Sequence, residues 1–168
     1  MVCRFNTGLF VARMREVRGL GFANAPRAPT NGVPAVPMIV PFVDHRYGRS
    51  ATLDEPVVAL SLYELVNLAT GASHVTSRAE LADRFRIPEG ATVIVSGVDK
   101  DDPIERWWEL KERAVILKTL RVLGIALVTT PNYSVLTDVP RTDNLHAMKR
   151  ILLAWTEMAQ AGLPAALH

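Results

Sequence analysis

The chain has 168 residues, of which 49% are hydrophobic and 21% charged, with a formal net charge of +2. That is enough for one domain with a sizeable core, and it excludes the compositions of disordered, coiled-coil or collagen-like chains. The single cysteine, Cys3, rules out an internal disulfide, and no Cys/His cluster carries zinc spacing, so a reducing, cytoplasmic setting is expected. No run approaches the ~20 apolar residues of a bilayer span, and the start lacks a basic stretch followed by a long apolar one, so no membrane role and no export are expected.

In chain order, residues 1–50 hold seven arginines and no lysine (Arg4, Arg13, Arg15, Arg18, Arg27, Arg46, Arg49) against Glu16 and Asp44. An arginine-rich lead-in can bind phosphate or nucleic acid through its planar guanidinium groups, or can be a solvated arm. Phe10, Val11, Met14 and Val17 have helical spacing and predict a short basic helix over Leu9–Leu20. Gly21, Pro26, Pro29, Gly32 and Pro34 then punctuate a linker or strap. Ala35–Val43 is the first strand candidate, with Pro37 and Pro41 confining it to an edge. A polar loop follows over Asp44–Pro56, then the apolar run Val57–Leu60 leads into an expected helix, Ser61–Ala69. Ser77 and Glu80 form a capping box opening a short helix that ends near Phe85.

Thr92–Val95 is a compact β-branched strand ending at Gly97. Asp102-Pro103-Ile104-Glu105 reads as a helix start, with an acidic cap, proline at the first position and a first-turn acid. That helix is expected to run to Leu123 and stop at Gly124. Ile125–Thr129 is the next strand. Thr142 or Asp143 is expected to cap a last helix with an apolar stripe of Leu145, Met148, Leu152, Trp155 and Ala159, placing Lys149 and Arg150 on its outer face. Trp107, Trp108 and Trp155 read as packing residues. Gly162 ends the helix, and Leu163–Leu167 is a final strand.

Strand starts at 92, 125 and 163 are spaced as βαβ crossovers are, which makes the strands parallel. With the two earlier runs there are about five strands, whereas a full eight-fold barrel takes ~250 residues. The expected class is therefore α/β, built of parallel β/α units: an incomplete, truncated TIM-like β/α barrel, with an open sheet as the alternative. Residues 1–34 are the Arg/Pro/Gly-rich arm and linker, and 35–168 the α/β domain. A truncated barrel exposes apolar edges, so self-association is expected.

Gly97-Val-Asp-Lys-Asp101, Ile104-Glu-Arg-Trp-Trp108, Thr130-Pro-Asn-Tyr-Ser134, Asp138-Val-Pro-Arg141, Asp143-Asn-Leu145 and Lys149-Arg150 together resemble the uncharacterised bacterial and phage-associated domain-of-unknown-function family 4417. The resemblance covers residues 34–168 and implies a larger α/β protein continuing past His168. It carries over no activity, cofactor or catalytic residue.

Ligands of parallel α/β folds bind at the carboxyl ends of strands, where loops vary above a rigid sheet. That rule selects Asp44, His45 and Arg46–Arg49, then Asp99–Asp101, then Asn132–Ser134, then His168. Asp99, Asp101, Glu105 and Asn132 are the catalytic candidates: clustered oxygens can hold a divalent metal such as Mg²⁺, or act as acid and base. Lys100, Arg106, Arg141 and Asn144 are the substrate-binding candidates, Arg141 because it lies near a helix N-terminus. Against these stand turn closure by Asp99 and Asp101, dipole pairing by Glu105, and ion pairs of Arg141 with Asp138 or Asp143. No Gly-rich phosphate loop, nucleophile elbow or His-Glu-x-x-His motif is present.

The leading expectation is an α/β-barrel enzyme, or part of one, acting on a small anionic substrate, nucleotide-like or phosphorylated, by hydrolysis or group transfer. The alternative is a non-catalytic nucleic-acid-binding or accessory protein of mobile elements that uses the arginine-rich segment.

Overall fold

A computed structural model describes residues 7–45 and 49–168; Cys3, Arg4, Arg46, Tyr47 and Gly48 lie outside the described residues. The β-branched runs form four strands, β1 (Val57–Ser61), β2 (Thr92–Ser96), β3 (Leu127–Thr129) and β4 (Ala165–Ala166). All pairs are parallel and the strands lie in chain order, so the sheet reads β1-β2-β3-β4 and each crossover steps the same way. Val58, Leu60, Val93, Val95 and Val128 are fully buried, as expected of a parallel sheet covered by its own crossovers. The chain is an α/β protein, and no helix is long and apolar enough to cross a membrane among the described residues.

Ala35–Val43 is not a strand. It makes one parallel bridge, Phe42 to Ala59, with the Val43 N–H donating to Ala59 and Pro41 accepting from Ala59. Pro37 and Pro41 remove the donors a longer ladder needs, and Met38 is left 98% exposed. The expected helix Ser61–Ala69 reduces to a 3₁₀ turn, Leu62–Glu64. There the Asn67 carboxamide oxygen accepts the N–H groups of Ala69 and Thr70, giving the backbone a local alternative to helix.

Helix α1 spans Thr7–Glu16 and α2 spans Arg78–Phe85. The Ser77 hydroxyl caps α2 by accepting from the Glu80 N–H, while the Glu80 carboxylate reaches back, first to the N–H and hydroxyl of Thr76 and then to the Ser77 N–H. The long helix expected from Asp102 to Leu123 is two: α3 (Asp101–Glu109) and α4 (Arg113–Val122), parted at extended Leu110. The Arg113 guanidinium sets the break. It donates to the carbonyls of Trp108 and Leu110 that the break releases, and grips both carboxylate oxygens of Glu157 at 2.8 and 2.9 Å. Asp102 is not the cap; it lies in the first turn and pairs with Arg106 at 3.0 Å.

Helix α5 runs Arg141–Gln160 with Pro140 in the cap position, so neither Thr142 nor Asp143 caps it. Its buried face also departs from the expected stripe. Met148 is 45% exposed, whereas Lys149 and Arg150 are 1% and 5% exposed. The reason is a second layer over α5. Lys149 Nζ donates to the Gly21 carbonyl and the Asn24 carboxamide, and Asn31 donates to Ala159 and Leu163. Residues 17–31 are thus strapped along α5, and buried cations survive there because each has a partner.

Candidate functional site

Three strand ends are stitched together at one end of the sheet. The Gly97 N–H, just past β2, donates to the Thr129 hydroxyl of β3 at 3.1 Å. The Gly97 carbonyl accepts from the Tyr63 hydroxyl, just past β1, at 2.7 Å. Burial is the first cause, with Tyr133 and Asp99 nearby, that pushes the Tyr63 hydroxyl far above the usual phenol range, so it stays a donor. Only glycine fits at 97, because a Cβ would sit 2.6 Å from the backbone of Thr129, Thr130 and Pro131. One step higher, the Asp99 N–H donates to the Asn132 side-chain oxygen at 3.0 Å. Asp99 and Asn132 therefore meet at the same rim, each lending one side-chain oxygen to a turn: the Asp99 carboxylate accepts from the Lys100 N–H at 2.7 Å.

Beyond these turns, α3 and the start of α5 enclose a cavity of about 190 Å³. Its polar lining includes Asp101 and Glu105 from α3, Tyr133 from the β3 loop, and Asp143, His146 and Arg150 from α5. The Arg150 guanidinium makes a two-pronged pair with Glu105, 2.8 Å on each arm, and lies 3.8 Å from the Tyr133 ring centre and 4.8 Å from that of Trp108. Burial alone would raise the Glu105 carboxyl, but the Arg150 bonds and charge more than offset it and hold it below the usual carboxylate range. His146 Nε2 meets Glu16 Oε1 at 2.9 Å, which ties α1 to α5. Because a carboxylate only accepts, Nε2 carries the proton. Burial lowers the His146 pKa despite Glu16, with Arg150 and Arg13 adding to the fall, so the ring is neutral near pH 7.

Among the described residues, three buried polar atoms of this lining lack a well-formed hydrogen bond: the Tyr133 hydroxyl, Asp143 Oδ2 and Arg150 Nε. The Arg150 guanidinium approaches the Tyr133 oxygen as a donor, which leaves the hydroxyl proton without an acceptor. Tyr133 and Arg150 are 6% and 5% exposed. Native interiors leave few such atoms, and three around one cavity mark a place that a polar guest completes. Burial first, then Glu105, pushes the Tyr133 hydroxyl far up against the opposing pull of Arg150 and Arg113, so it too remains protonated and can donate.

The expected site residues divide accordingly. Asp101, Glu105 and Asn144 line the cavity. Asn144 is fully engaged there, donating to the Leu136 carbonyl at 2.7 Å and accepting from its N–H at 3.0 Å. Asp99 and Asn132 form the rim turn beside it, while Lys100, Arg106 and Arg141 are exposed and lie outside the lining. Among the described residues, no group of three or more His, Cys, Asp or Glu side chains gathers to hold a metal ion. Tyr133, Asp143, His146 and Arg150 complete the set. The spacing of Asp143, His146 and Arg150 was a legible sign, since steps of three and four put them on one helix face. No protein-family model, curated protein or solved structure matches this chain.

Proposed function

We propose that the chain is a ligand-binding α/β module of β/α-barrel type, four consecutive parallel strands of such a barrel, with a small-molecule site in the strand-end cavity. The chain-order, one-directional sheet supports the barrel reading, since a doubly wound sheet reverses direction. The resemblance to family 4417 over residues 34–168 is proposed on the same footing. The observation that carries the site is the trio of unsatisfied atoms on Tyr133, Asp143 and Arg150.

The chemistry of the guest follows from what is left over. Glu105 and Arg150 cancel each other, which leaves Asp101 and Asp143 as the uncompensated charges of the lining. A guest carrying an amine toward Asp143, with an acceptor toward the Tyr133 hydroxyl and Arg150 Nε, satisfies this set better than the anionic one expected from Arg141 and the helix terminus. At about 190 Å³ the cavity has room for ~6 water-sized groups, so the guest is small.

Thermal unfolding with glycinamide or ethanolamine, which carry an amine and an oxygen acceptor, and with phosphate or AMP tests this. At tenfold excess over Kd a guest adds ~1.4 kcal/mol, or ~3–6 °C. The cations are expected to raise Tm and the anions to leave it unchanged. Tyr133→Phe is expected to lose that response while the free protein becomes no less stable, because an orphan buried hydroxyl is removed. A response to phosphate or AMP alone, or a Tyr133→Phe chain that responds as before, contradicts the reading.

A further inference from the structure

A second concavity lies apart from the strand-end cavity. A groove of about 570 Å³ lies between α4 and the C-terminal end of α5 and shares no lining residue with that cavity. Arg150 lines the cavity and Glu157 the groove, and the step of about seven residues between them puts the two ~10 Å apart along α5 at their nearest.

The groove combines an apolar bed with a cationic border. Ala114 and Ala161 supply the accessible bed, above the buried Leu117, and Lys111, Lys118 and Arg121 the border. Arg113, a fourth cation in the lining, is committed to the lone carboxylate there, Glu157. Lys111 and Lys118 are exposed and form no ion pair among the described residues. Arg121 is laid against Gly162, where a Cβ would come within 2.7 Å of its Nη1, and that nitrogen also reaches the Ala161 carbonyl at 3.5 Å. Gly162, with φ +81°, therefore both ends α5 and leaves room for a guanidinium at the groove's end. Beside the groove, α4 exposes Val115 at 59% and Val122 at 73%, so the apolar surface continues outward.

We propose that this groove docks an acidic amphipathic helix of a partner protein, with its apolar face on Ala114, Ala161 and the exposed valines of α4 and its carboxylates on Lys111, Lys118 and Arg121. Charge complementarity selects an acidic partner, and the apolar bed selects a helix with one apolar face. A nucleic acid fits less well, because single strands are held by stacking on aromatic rings and no aromatic residue lines the groove.

Fluorescence anisotropy on the full chain tests the docking. The probe is a labelled 18-residue helical peptide with leucine along one face and glutamate elsewhere. Controls are a glutamate/serine peptide of equal charge and an 18-nucleotide oligothymidylate. The leucine/glutamate peptide is expected to bind, and Lys111→Glu with Lys118→Glu to weaken it at least tenfold. Far-ultraviolet circular dichroism should be unchanged, since both lysines are exposed. The docking is overturned if the probe does not bind the unaltered chain, if the double reversal leaves its affinity within twofold, or if either control binds as tightly as the probe.

Discussion

Gly97→Ala is expected to destabilise the protein by ~3 kcal/mol, near the upper end for overpacking a site that cannot yield, and so to lower Tm by about 10 °C. The added methyl would meet backbone at 2.6 Å on three sides, at Thr129, Thr130 and Pro131, and backbone cannot rotate out of the way as a side chain can. Relief requires β2 and β3 to part at their carboxyl ends, which breaks the Thr129 and Tyr63 bonds to Gly97 in the same movement. Chemical denaturation of the two chains measures the difference. Gly90→Ala is the matched control, because nothing lies within 4 Å of a Cβ there. A Gly97→Ala chain as stable as the control would mean that the strand ends are not in contact.

Arg150→Met is the second large effect. Arg150 is 6% exposed in its side chain and Glu105 43%, so removing the guanidinium leaves a half-buried carboxylate and two aromatic faces without their cation. Breaking a fully buried pair costs ~3–5 kcal/mol; with Glu105 partly in water, ~2–3 kcal/mol is expected. The pH dependence identifies the cause. Because Arg150 holds the Glu105 carboxyl below its unfolded value, the pair contributes stability above the ordinary carboxylate range. That contribution is lost as pH falls through the depressed folded value. The stability gap between the unaltered chain and Arg150→Met is therefore expected to be full at pH 7 and to close progressively below about pH 4. Denaturation at pH 7, 5 and 3 reads it, and a gap that stays constant would assign the loss to packing alone.

The sequence made the parallel strands legible, because Thr92–Ser96 and Leu127–Thr129 are β-branched runs bounded by glycine, proline and helix caps. Local patterns failed where distant residues decide. Nothing near Leu110 announces a helix break; Arg113 makes it, by serving Trp108, Leu110 and Glu157 at once. The inward face of α5 was misread for the same reason. Lys149 is buried by Gly21 and Asn24, more than a hundred residues away in the chain, and no periodicity within a helix reports such a partner. At the site, the rule that loops gather at strand ends placed Asp99 and Asn132 on one rim. It could not say that each would lend an oxygen to a turn while the cavity formed one layer out, on the face of α5 that carries Asp143, His146 and Arg150.

The central claim is that the cavity between α3 and α5 is a ligand site whose unsatisfied atoms are completed by a small cationic guest. Amide correlation spectra of the ¹⁵N-labelled full chain, titrated with glycinamide and separately with phosphate, test it most directly. Saturable shifts are predicted at Tyr133, Ser134, Asp143 and Asn144 with glycinamide, absent with phosphate and abolished in Asp143→Asn. Shifts that fall on other residues, or that persist unchanged in Asp143→Asn, would contradict it.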